Sequence, residues 1–298
     1  MSFLMIGMLS VMLPRAGVAA DRIKEVIDTE STICDKPDCK KLEAVKGVVR
    51  YEHVSFAYPE AEGKVLDDID FEASPGTTTA IIGSTGCGKS TLVNLIPRFF
   101  DVTEGSITLD GRDIRNITLE SLRENIGYVP QKGILFSGTI ADNIKYGQLV
   151  ESDEDMLEAA EIAQATEFIE AKPDKYESQV AQGGNNVSGG QKQRLSIARA
   201  IARDPMIYIF DDSFSALDFK TDAALRKALA PKVKDKTVLI VAQRISTVMH
   251  AEQIIVLDDG KVAGIGTHKE LMENCEIYRQ IAGSQLSESE LKKSLEVK

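Results

Sequence analysis

Gly83-Ser84-Thr85-Gly86-Cys87-Gly88-Lys89-Ser90 fits the pattern G-x-x-x-x-G-K-[ST] at every fixed position. Its glycines let the backbone curl so that N–H groups converge on phosphate oxygens, and a helix opening at the same point adds partial positive charge. Lys89 is placed to reach the β- and γ-phosphates, and the Ser90 hydroxyl to ligate Mg²⁺. The flanks agree. Thr77–Ile82 is β-branched and apolar, as a buried strand requires, and Ser90–Ile96, with Thr91 in its first turn, reads as a helix. A second stretch, Met206-Ile207-Tyr208-Ile209-Phe210-Asp211-Asp212, reads as a strand buried on both faces that ends in acid. Open α/β sheets bind ligands at that end. Asp211 would hold Mg²⁺ through water. Asp212 would face the attacking water as general base, or cap a turn, since Ser213 follows. The ligand this set fits is a nucleoside triphosphate with its metal.

Between the two stretches lies Asn186-Val187-Ser188-Gly189-Gly190-Gln191-Lys192-Gln193-Arg194. This resembles the signature of the ABC-type ATPases. Ser188 can cap a helix whose first N–H groups, with Gly189, Gly190 and Gln191, present a second anion site. The resemblance covers residues 47 to about 283 and is nearest to multidrug and lipid exporters. It implies ATP and Mg²⁺ as ligands, and a P-loop NTPase (RecA-like) α/β core with an antiparallel β subdomain and an inserted helical subdomain at about 132–190. It also implies two subunits paired head to tail with ATP between them, and a transmembrane domain as partner at the cytoplasmic face of a membrane. Tyr58 looks like the residue that stacks on adenine. Gln131, in Tyr128-Val129-Pro130-Gln131, looks like the glutamine on Mg²⁺ and water. Ser215-Ala216-Leu217-Asp218 looks like the loop that crosses the dimer interface, and Gln182–Asn186 stands in the place of a coupling loop.

Two positions depart from the pattern. A glutamate usually follows the acidic strand, and here it is Asp212. A histidine usually sits in Val241–Thr247, and here it is Gln243. Aspartate is one methylene shorter, and a glutamine carries no titratable proton. Losing a well-placed base costs about 10²- to 10⁴-fold in rate. The pair resembles the degenerate half of a heterodimeric exporter, with a homodimer and a slow site using Asp212 as base as the alternatives. A non-hydrolysing regulatory module and a soluble ABC ATPase outside transport are the rival functions.

The elements that must position these groups suit one large domain with appendages in 298 residues. A net charge of −11 without a cluster of Lys and Arg disfavours a nucleic-acid partner. Cys34, Cys39, Cys87 and Cys275 show no metal-ligand spacing and read as thiols of a reducing compartment. Residues 1–14 are apolar and shorter than the roughly 20 residues that span a bilayer. They read as the end of a truncated membrane helix, with a signal peptide as the other reading. Residues 15–46 follow as a helix and then a polar linker containing Pro37. Residues 47–283 form the ATPase domain, and 284–298 a charged, loosely held tail. Within the domain, Glu151–Ala171 reads as one helix, Asp110-Gly111 and Asp259-Gly260 as hairpin turns, and His53, His250 and His268 as structural.

Overall fold

The computed structural model of the chain describes residues 2–148 and 152–296. Met1, Glu151 and the last two residues of the tail, all included in the expectations above, lie outside the described residues. The chain divides into two units, 1–34 and 35–298.

The first unit carries α1 (Ser2–Ile27), which runs unbroken through Pro14. A proline removes one backbone donor without always ending a helix. At 26 residues α1 is long and apolar enough, by length and composition, to cross a membrane.

In the second unit the strands are β1 (Val49–Phe56), β2 (Leu66–Ala73), β3 (Thr78–Gly83), β4 (Glu104–Leu109), β5 (Arg112–Asp113), β6 (Ile126–Val129), β7 (Gly138–Thr139), β8 (Gln179–Val180), β9 (Ile207–Asp211), β10 (Thr237–Val241), β11 (Gln253–Asp258) and β12 (Lys261–Gly266). Among the described residues, six of them form a sheet in the order β12-β11-β3-β10-β9-β6. All its pairs are parallel except the β11–β12 hairpin. A second, antiparallel sheet runs β2-β1-β4-β5. Both expected hairpin turns form. Asp110 and Gly111 have φ of 52° and 76°, Asp259 and Gly260 43° and 76°, the paired positive values that a tight right-twisting hairpin demands.

Alternation along each buried strand divides the core. Ile207 and Ile209 face a cluster shared with the antiparallel sheet, while Tyr208 and Phe210 face the helical side. The helices of this unit are α2 (Lys89–Leu95), α3 (Leu119–Glu124), α4 (Ile140–Lys145), α5 (Asp153–Ile162), α6 (Thr166–Glu170), α7 (Gly189–Ala202), α8 (Phe219–Leu229), α9 (Ile245–Val248), α10 (His268–Asn274), α11 (Glu276–Gln285) and α12 (Glu288–Glu296). The single helix expected to reach Ala171 is two, α5 and α6. The chain between them turns at Gln164, whose φ of 56° no helix accommodates. The stretch 35–46 is tied down rather than loose. Asp35 accepts from the Leu119 N–H, Leu42 donates to Ser121 Oγ, and the Asp110 carboxylate receives the N–H groups of Lys46, Gly47 and Val48.

Candidate functional site

The ends of four adjacent parallel strands build the site. β3 delivers the loop 83–90 and α2, β10 delivers Gln243, β9 ends at Asp211, and β6 leads to Gln131. Register fixes their level: Val241 pairs with both Ile81 and Asp211, and Phe210 with Val129. Because β9 lies between β10 and β6, the two glutamines approach its acidic end from opposite sides.

They meet on one atom. Gln243 Nε2 donates to Asp212 Oδ2 at 2.9 Å, and Gln131 Nε2 to the same oxygen at 3.2 Å. Both glutamines are exposed, whereas Asp212 is 8% exposed. Burial pushes the Asp212 carboxyl above its ordinary value; the Gln131 amide, Ser215, Lys89 and Arg244 oppose this. Asp211 is likewise raised by burial, with Asp212 adding to the rise, against the pull of Ser90. Ser90 Oγ donates to Asp211 Oδ1 at 2.9 Å.

The loop itself is close-packed where it must be and open where a ligand would lie. At Gly88 φ is 98°, and a Cβ there would stand 2.8 Å from Leu66 Cδ2. A Cβ on Gly83 would sit 2.1 Å from the Leu257 carbonyl oxygen. At Gly86 the same direction is open space. Lys89 is 8% exposed, and its ammonium donates to the carbonyl oxygens of Gly83 and Ser84 at 2.8 and 2.6 Å. A buried cation held by neutral oxygens favours an anion beside it. The cavity in front, about 230 Å³, is lined by Thr85, Gly86, Gly88, Lys89, Ser90, Thr91, Gln131 and Gln243, with Val65. These groups fit a phosphate chain. Ser90 Oγ and the Asp211 carboxylate offer the hard oxygen donors that Mg²⁺ takes, one carboxylate being enough when phosphates and water supply the rest. Cys87 is buried beneath the loop with its sulfur 3.7 Å from Lys89 Nζ.

Tyr58 lies at the edge of the loop, its hydroxyl 3.0 Å from Thr91 Oγ1 and its ring edge-on to Phe56 and Phe100. Ser188 caps α7 in a reciprocal box: its Oγ accepts from the Gln191 N–H, and the Gln191 side chain accepts from the Ser188 N–H. A Cβ at Gly189 would meet open space. Among the described residues, none of 188–191 lines the cavity at Lys89.

Sequence reasoning missed the groups behind the acids. The Tyr128 hydroxyl donates to Asn94 Oδ1 at 2.8 Å and lies 3.5 Å from Asp211 Oδ2. Nothing local marks Tyr128, because its place depends on β6 lying beside β9. Val65 and Arg244 were missed for the same reason.

The family model described as ABC transporter matches residues 66–215. An uncharacterised ABC transporter ATP-binding protein of Mycobacterium tuberculosis is 49% identical over 290 residues, covering 96% of this chain and 49% of the relative. A Bacillus subtilis protein, provisionally named a multidrug export ATP-binding/permease protein, is 41% identical over 272 residues, 91% of this chain and 47% of its own. A solved structure of a bacterial Atm1-family ABC exporter with ATP bound superposes with a TM-score of 0.88 at 34% identity, covering 96% of this chain and 50% of that one. The chain thus spans about half the length of the curated relatives it matches. Matched by the family model over half its residues, and built on the P-loop fold described above, the chain belongs to the ABC transporter family as an ATP-binding domain.

Proposed function

We propose that this chain binds Mg-ATP at Gly83–Thr91 and serves as the motor of an exporter at the cytoplasmic face of a membrane, with a hydrolytic site weakened at Asp212 and Gln243. The observation that carries this is the double contact on Asp212 Oδ2. Both lone-pair positions of Oδ2 are taken by the two amide N–H groups, so an attacking water finds that oxygen occupied until a glutamine moves away, even though burial raises the carboxyl overall. Its short side chain also stands one methylene back from where a glutamate would reach.

Lys89 and the loop amides bind the triphosphate and stabilise charge that develops on its last phosphate. Mg²⁺, when bound, would neutralise that charge and orient the phosphates. Ser90 and Asp211 would hold it, and Gln131, free to swing from Asp212, would position the attacking water. Tyr58, tethered to Thr91, fits a platform for adenine. Ser188, Gly189, Gly190 and Gln191 would cap the nucleotide on a second ABC ATPase subunit, in a heterodimer whose partner holds the fast site. The names of the exporter relatives and the length of α1 support a neighbouring transmembrane domain.

The same double contact favours a second reading, a module that holds ATP as a fixed interface element. Titration calorimetry and turnover separate the two. Mg-ATP is expected to bind the native chain, and Asp212→Glu with Gln243→His is expected to raise turnover by at least about 10²-fold. Unchanged turnover at intact binding would favour the fixed module. No heat on adding Mg-ATP would end both.

A further inference from the structure

We propose that Gln285 is a positioning residue for the nucleotide site, acting through the loop that carries Gln243. Its side-chain amide is engaged at both ends. Nε2 donates to the Gln243 carbonyl oxygen at 2.8 Å, and Oε1 accepts from the Ile245 N–H at 2.8 Å. Ile245 opens α9, a helix of four residues whose N-cap residue, Arg244, provides no side-chain cap. A helix start leaves its first N–H groups without partners. Gln285 meets one of them from 40 residues away, across the fold rather than along the chain.

The loop's other anchors lie at its ends, where the Ala242 and Ile245 side chains are buried. β10 ends at Val241, and the Ala242 N–H still reaches the Ile81 carbonyl oxygen at 3.1 Å. Beyond it, the Gln243 side chain points to Asp212. The Arg244 guanidinium lies over the exposed Phe219 ring, 5.2 Å from its centroid. The carbonyl of Gln243 and the N–H two residues on are therefore held by one amide on α11, a helix anchored by the fully buried Tyr278 and Ala282. Holding the backbone on both sides of Arg244 limits where the Gln243 amide can point. Gln285 is itself exposed, so removing its side chain opens no cavity. The end of α11 is thereby coupled to the oxygen on which the site turns. The catalytic half of this inference rests on the ATP-hydrolysing reading above.

The test uses the full chain, with hydrogen exchange of the Ile245 amide, thermal unfolding, and Mg-ATP turnover as readouts. Gln285→Ala is expected to speed Ile245 exchange by about tenfold at an unchanged melting temperature and, by letting the Gln243 amide leave Asp212 Oδ2, to raise kcat by about three- to tenfold at an unchanged KM. In a Gln243→Ala background the same change is expected to have no further effect on kcat. Gln285→Glu keeps the acceptor for Ile245 and loses the donor to Gln243, so it is expected to retain Ile245 protection with an intermediate kcat. Unaltered Ile245 exchange in Gln285→Ala would overturn the proposal, as would a fall in kcat, or kcat gains from Gln243→Ala and Gln285→Ala that multiply independently. A native chain without turnover would remove the catalytic half together with the hydrolytic reading, whereas the Ile245 exchange reports on the clip in either case.

Discussion

At the scale of single residues, Asp212 concentrates the conflict between folding and chemistry. Its φ of 46° lies in the left-handed region, costly for a residue with a side chain and found where surrounding structure overrides local preference. Its carboxyl is also buried, which disfavours the charged form. A carboxyl raised by burial takes up its proton more readily in the folded chain than in the unfolded one. The stability this gives is full below the ordinary value of 3.8 and is lost as pH rises through the folded value. Asp212→Asn removes the charge while leaving a carbonyl oxygen for both glutamines. The variant is therefore expected to melt about 2–4 °C above the native chain at pH 7, with the gap closing in acid, and to turn over more slowly. Calorimetric melts from pH 4 to 8 measure this; a variant that melts lower at pH 7 would mean that the charge itself holds the loop. The loop 83–90 and Asp211 were legible in sequence because their chemistry needs fixed residue types at fixed spacing. Tyr128, Asn94 and Gln285 were not, because each reaches the site through strand order or a helix end that no spacing encodes.

At the scale of elements, continuous β-branched and apolar runs marked β3 and β9, and turn chemistry marked the two Asp-Gly hairpins. The reading failed where an apolar period continued across a local reversal, as at Gln164 between α5 and α6. The histidines show the limit from another side. His268 gives no signal in the sequence beyond its type, yet it ties α12 to the body of the domain. Its Nε2 lies 2.9 Å from Ser294 Oγ, and its Nδ1 2.7 Å from the Tyr278 hydroxyl. Ser294 Oγ donates to the Leu291 carbonyl oxygen, so Nε2–H donates to Ser294 and Nδ1 accepts from Tyr278. Burial, with His250 nearby, lowers the His268 pKa below its ordinary 6.5. A depressed imidazole stabilises the fold above pH 6.5 and loses that contribution as pH falls through its folded value. Limited proteolysis is expected to cut at α12 faster as pH falls from 7 to 5, and His268→Gln is expected to flatten that dependence. A cleavage rate indifferent to pH in the native chain would show that α12 is held by other contacts.

At the scale of the whole molecule, the proposed head-to-tail pairing must overcome charge. Each copy carries −11 at neutral pH, and each bound nucleotide adds negative charge at the interface. Two identical copies repel over distances set by the Debye length, roughly 30 Å at 0.01 M salt and 10 Å at 0.1 M. A phosphate chain bridging Lys89 of one copy and the Ser188 helix start of the other attracts only at short range, and that attraction is screened less because it is partly buried. Raising salt therefore weakens the long-range repulsion more than the bridge. Self-association with Mg-ATP is expected to increase between 0.01 and 0.3 M salt and to be abolished by Lys89→Ala at any salt, both read by sedimentation velocity. A less acidic partner chain would meet less of this repulsion, which favours a heterodimer over a pair of identical copies. Self-association that weakens as salt rises would instead mean that opposite charges face each other across the interface, and the argument for a distinct partner would lose its electrostatic basis.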